Sequence, residues 1–67
     1  MDLGLRYALT IDEINYSDSF NDNWDLFNKG VKILSDRLKN DDFSEFSISE
    51  RDILEQIFSI INNENEN

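Results

Sequence analysis

The chain has 67 residues, 39% of them hydrophobic and 12% aromatic, and 15 Asp and Glu against six Lys and Arg give it a formal charge of -9 at neutral pH. There is neither histidine nor cysteine, so disulfide or zinc staples, a thiolate nucleophile and the commonest general base are all excluded. Dense negative charge opposes approach to nucleic acid or anionic lipid and suits a basic partner.

At the N-terminus Leu3, Leu5, Tyr7, Leu9 and Ile11 alternate with Gly4, Arg6, Ala8 and Thr10. This period of two predicts a strand with its large apolar side chains on one face. Ile14 and Tyr16 extend the alternation, so a hairpin turning at Asp12 and Glu13 is a secondary reading. Residues 21–39 place Trp24, Phe27, Val31, Leu34 and Leu38 on one stripe of an amphipathic helix, with acids at its start, bases at its end and Asn21 or Ser19 as caps. Gly30 interrupts this helix and marks either a close helix contact or a tolerated weak point. After the polar break at residues 40–42, a second helix follows, opened by a capping box of Ser47 and Glu50. Its apolar residues, Ile53, Leu54, Ile57, Phe58, Ile60 and Ile61, cover more than one stripe.

One compact domain over residues 1–62 is expected, with a frayed polar tail at 63–67. A lone strand leaves both edges unpaired, and a domain this small buries a modest core. The expected fold is therefore α+β: a β-α-α protomer whose N-terminal strand pairs across a homodimer with the helices on one face. Leu3, Leu5, Tyr7, Leu9, Ile57 and Ile61 form the expected dimer interface. The alternative is a second strand from Phe43 to Ile48 within one chain. No apolar run is long enough to span a membrane, and Asp2 directly after Met1 does not read as a signal peptide, so a cytoplasmic protein is expected.

No motif supplies chemistry. Asn21, Asn23 and Asp25 imitate the start of a calcium loop, but Leu26 stands where the turn needs glycine and Lys32 where the loop needs a bidentate glutamate. Asp18-Ser19-Phe20 resembles the Asp-Ser-Leu phosphopantetheine site of acyl carrier proteins over three residues; a strand rather than a helix and long loop precedes it, and the serine reads as a helix cap. No catalytic residue, cofactor or metal is expected.

The charge falls in blocks. From Tyr7 to Asn28 there are five acids and no base; residues 41–67 carry eight acids and Arg51 alone. In size, charge and absence of catalytic groups the whole chain resembles small phage-encoded DNA mimics, proteins that occupy the DNA site of a host protein such as a histone-like nucleoid protein, uracil-DNA glycosylase or a restriction enzyme. That resemblance implies a non-enzymatic inhibitor in the host cytoplasm, a basic nucleic-acid-binding protein as partner, and no direct contact with nucleic acid. Asp12, Glu13, Asp18, Asp22, Asp25, Asp41, Asp42 and Glu45 are the expected partner-binding residues, because they lie in loops or at helix starts where their charge is least neutralised. An immunity or antitoxin-like inhibitor anchored by Tyr16, Phe20 and Trp24, or an adaptor binding through the apolar second helix, are the competing readings.

Overall fold

The computed structural model describes residues 2–65, and among them there are three helices and no strand: α1 (Leu3–Asn15), α2 (Trp24–Lys39) and α3 (Ile48–Asn65). The α+β expectation is thereby corrected. The segment read as a strand is α1, the supposed hairpin at Asp12 and Glu13 is its last turn, and 43–47 is an irregular loop that leads into α3.

Local chemistry explains why α1 is a helix. Leu, Arg and Ala are strong helix formers, and they occupy Leu3, Leu5, Arg6, Ala8 and Leu9. Asp2 is the N-cap: its Oδ1 accepts the amides of Gly4 at 2.9 Å and Leu5 at 3.3 Å, two of the four donors a helix start leaves free. Within a helix every backbone group of the segment is satisfied locally, whereas a strand here has no neighbouring strand to pair with. The buried face is set by Tyr7 and Ile14, two turns apart, with Ile11 packed beside them.

Helix α2 is the centre of the molecule, and α1 and α3 both pack on it. Phe27, Gly30, Leu34 and Arg37 are its buried positions, at steps of three and four. The apolar core is Tyr7, Ile14, Phe27, Leu34, Leu54 and Ile57. Gly30 is a close helix contact: a β-carbon there would overlap Ile57 Cδ1 on α3. Residues Tyr7 and Ile57, expected at a dimer interface, are thus core residues of one chain, and Ile61 is half-buried against the same core, whereas Leu5 and Leu9 are exposed on the outer side of α1 and Leu3 is exposed at its first position.

A Schellman motif ends α2. The amide of Asp42 donates to the Arg37 carbonyl at 2.9 Å and that of Asp41 to the Leu38 carbonyl at 3.2 Å. Asp41 sits between them in the left-handed region, φ 52°, which Asp tolerates better than most residues. The expected capping box then opens α3: Glu50 Oε1 accepts the Ser47 amide at 2.9 Å and Ser47 Oγ accepts the Glu50 amide at 3.2 Å. The helix runs through Asn65, past the boundary expected at residue 62; Glu66 and Asn67 lie outside the described residues. Among the described residues no helix is long and apolar enough to cross a membrane.

Candidate functional site

The fold gathers one block of acids and disperses the other. The last turn of α1 carries Asp12 and Glu13, the connection to α2 carries Asp18 and Asp22, and the first turn of α2 carries Asp25; all five are exposed. The last turns of α3 come to the same end of the bundle, where Ser17 Oγ donates to both carboxylate oxygens of Glu64 at 3.0 Å. Six carboxylates therefore share one end of the molecule. Lys29, in an exposed ion pair with Asp25 at 3.4 Å, is the basic residue nearest to them along α2.

Two further features make this end negative. The last turns of α1 and α3 contain no basic residue, so the partial negative charge of both helix C-termini is left uncompensated by a side chain. The Ser19 and Ser17 hydroxyls and the Ser19 amide hold the Glu64 carboxyl below its ordinary value, against the opposite effect of burial, so it is charged at neutral pH. Glu13, Tyr16, Asp18 and Glu64 line a hollow of about 260 Å³ here. Tyr16, 85% exposed, and Trp24, 59% exposed, stand among the acids, whereas Phe20 is half-buried and packs edge-on against Phe27, with ring centroids 6.0 Å apart.

Asp41, Asp42 and Glu45 lie at the opposite end and serve the loop they belong to. Asp41 is the left-handed residue of the Schellman motif. Asp42 Oδ1 accepts from Ser44 Oγ at 2.7 Å and from the Ser44 amide at 3.1 Å, which lowers its carboxyl from the ordinary value, with a smaller contribution from Arg37. The Glu45 carbonyl accepts from Arg37 Nη2 at 3.0 Å. Arg6, Arg37, Lys39 and Arg51 also belong to this end, so its acids are partly offset. The eight residues expected to bind a partner together are split five and three between two ends of a molecule 34 Å long.

Arg37 organises the second of these groups, and nothing in the sequence singled it out. It is buried, donating through Nη1 to the Ser44 carbonyl, through Nη2 to the Glu45 carbonyl and at 3.2 Å to Glu50 Oε1, with its guanidinium 4.3 Å from the centroid of the Phe46 ring. Phe46 and Phe43 in turn hold Tyr7, at centroid separations of 5.8 and 5.5 Å. The Ser47 amide, opposed by burial and aided by Arg37, keeps the Glu50 carboxyl below its ordinary value.

Between α1 and α3 lies a groove of about 540 Å³ with Leu34, Phe46 and Leu54 at its base and Leu9 and Phe58 at its edges. Among the described residues no group of three or more carboxylates is placed to hold a metal ion. No family model, curated protein or solved structure matches the chain.

Proposed function

We propose that the protein is a non-enzymatic inhibitor that occupies the basic, phosphate-gripping surface of a nucleic-acid-binding protein, presenting its acidic end as a substitute for DNA backbone. The observation that carries this reading is the convergence of Asp12, Glu13, Asp18, Asp22, Asp25 and Glu64 on one end of the bundle. The cross-section of the molecule is 23 by 17 Å. A single DNA strand carries one charge per roughly 3.4 Å of axis, so about seven phosphates span the longer of these dimensions. Six carboxylates match one strand rather than a duplex, and the partner surface is one that follows a single phosphate run. A cytoplasmic location belongs to the same proposal, since a nucleic-acid-binding partner resides there.

A second reading rests on Tyr16 and Trp24. Exposed aromatic side chains ringed by charge are the usual anchors of tight protein interfaces, and they favour an immunity-like inhibitor that plugs one basic toxin. Competition and salt separate the two. A mimic is displaced by DNA and weakens steeply as salt rises, because its attraction is screened over about 8 Å at physiological ionic strength; an anchored inhibitor keeps its affinity.

The test is affinity capture from the source cell's lysate at low and high salt, followed by competition with duplex DNA. Replacing Asp18, Asp22 and Asp25 together by lysine should abolish capture while far-UV circular dichroism stays unchanged, because all three are exposed. Capture that survives this reversal, or a captured protein that DNA does not displace, refutes the mimic reading.

A further inference from the structure

The outer face of α1 differs from the rest of the surface. Leu5 is 59% exposed and Leu9 57%, and Phe58 of α3, 37% exposed, stands across the groove from Leu9. Arg6 and Leu9 form a ridge between that groove and a second hollow of about 310 Å³, bordered by Asp2 and Leu5. On a chain of charge -9 this face groups exposed leucines around one base, Arg6, with the exposed acids Asp2, Asp12 and Glu13 along it. We infer that it is the contact surface of a symmetric homodimer, with α1 of one copy lying antiparallel on α1 of the other.

Charge decides for a second copy. Arg6 and Glu13 are seven residues apart, two turns or about 10 Å along the helix. A two-fold axis passing between Leu9 and Thr10 sets Arg6 of each copy against Glu13 of the other, so one ion pair is formed twice, as an isologous interface requires. Leu9 of each copy lies beside the axis, where its ridge fills the groove edged by the other's Phe58, and Leu5 lies about 7 Å to one side of it. The antiparallel arrangement also places each strongly acidic end beside the other copy's mixed end, which carries Arg6, Arg37, Lys39 and Arg51, and keeps the two acidic ends apart. A parallel pairing would bring them together. An interface of standard size buries about 800 Å² per partner, roughly one sixth of the 4886 Å² this chain exposes, which the outer face of α1 and the flank of α3 are long enough to supply.

Glu13 belongs to both surfaces, but Leu9 and Arg6 lie outside the acidic end, so Leu9→Asp and Arg6→Glu test the dimer separately from the acidic end's partner. Sedimentation velocity of the full chain from micromolar to millimolar concentration, at low and high salt, tests it. The expected result is a monomer–dimer equilibrium that tightens as salt rises, since screening relieves repulsion between two acidic chains more than it weakens two exposed ion pairs. Leu9→Asp should weaken dimerisation about a hundredfold with unchanged circular dichroism. Arg6→Glu and Glu13→Arg should each weaken it about tenfold, and the double exchange should restore it. A chain that stays monomeric throughout overturns the proposal and leaves the face to a different protein. A dimer indifferent to Leu9→Asp, or charge exchanges that fail to rescue each other, overturns it as well.

Discussion

Replacing Arg37 by methionine should destabilise the fold far more than replacing its ionic partner Glu50 by glutamine. Methionine keeps an aliphatic stem in the space the arginine stem fills, so the change isolates the guanidinium. That group bridges the Ser44 and Glu45 carbonyls and lies over Phe46. Two carbonyls losing their donor in a part-buried loop amount to about 1 kcal/mol each, and the cation–π contact to about 0.5–1 kcal/mol. The total is about 2–3 kcal/mol, against a global stability of about 3–10 kcal/mol for a chain this size. Glu50→Gln removes the ion pair, but Glu50's side chain is one-third exposed, so the pair is worth under about 1 kcal/mol after screening. Gln also preserves the capping box. Urea titrations followed by far-UV circular dichroism should therefore show the methionine variant unfolding about 2 M earlier and the glutamine variant near the native midpoint. Because the two changes move the net charge in opposite directions, the comparison is repeated at high salt. If the two variants then unfold together, the carbonyl bridge is not what holds the 43–47 loop.

Gly30→Ala should destabilise by about 1 kcal/mol: the helix gains about 1 kcal/mol, but the new methyl overlaps Ile57 Cδ1 in a fully buried position, and such overpacking costs about 1–3 kcal/mol. Adding Ile57→Val deletes the overlapped atom, and urea midpoints of the double variant should recover to near native; additive losses would count against the close crossing. Stability against pH should stay level as pH falls from neutral and then fall. The lowered carboxyls of Asp42, Glu50 and Glu64 contribute stability that is present above their ordinary unfolded values and lost as pH drops through the folded ones. The loss thus begins near pH 4.3, and thermal melts across pH 7 to 2 should show a shallower acid limb for Glu50→Gln; an identical limb would mean Glu50 does not contribute.

Helices α2 and α3 were legible because both kinds of signal agreed. The three–four spacing from Phe27 to Leu34 and the Ser47–Glu50 box state the same structure that packing then uses. The start of α2 was less so: Trp24 belongs to the periodic stripe but is exposed, and Asn23, the actual N-cap, makes no side-chain cap bond. The acidic block from Asp12 to Asp25 was legible as charge, and local continuity keeps it together in space. Asp41, Asp42 and Glu45 were not, because a sequence shows how many acids a loop has and not which of them the loop consumes in its own hydrogen bonds. Arg37 looked like one more base in the last turn of a helix, where a charge usually points to water. Its burial follows from the path of the 43–47 loop, a tertiary fact with no local signature. Glu64 could have been found only by knowing that α3 ends beside Ser17.

The misreading of α1 and the exposed leucines have one cause. A strand places residues at a period of two on one face, so five alternating apolar residues would all point inward. Wound at 100° per residue, the same five are spread around the helix: Tyr7 and Ile11 turn to the core, whereas Leu5 and Leu9 turn away from it. Helix formation thus satisfies the backbone of this segment at the expense of exposing two leucines, and a period-two apolar run that folds as a helix must leave such residues outside. That remainder is a part of the surface where apolar side chains are grouped for another apolar face to meet. The pattern that imitates a strand is therefore also the pattern that gives α1 two working faces, one directed at α2 and one free for a second protein surface.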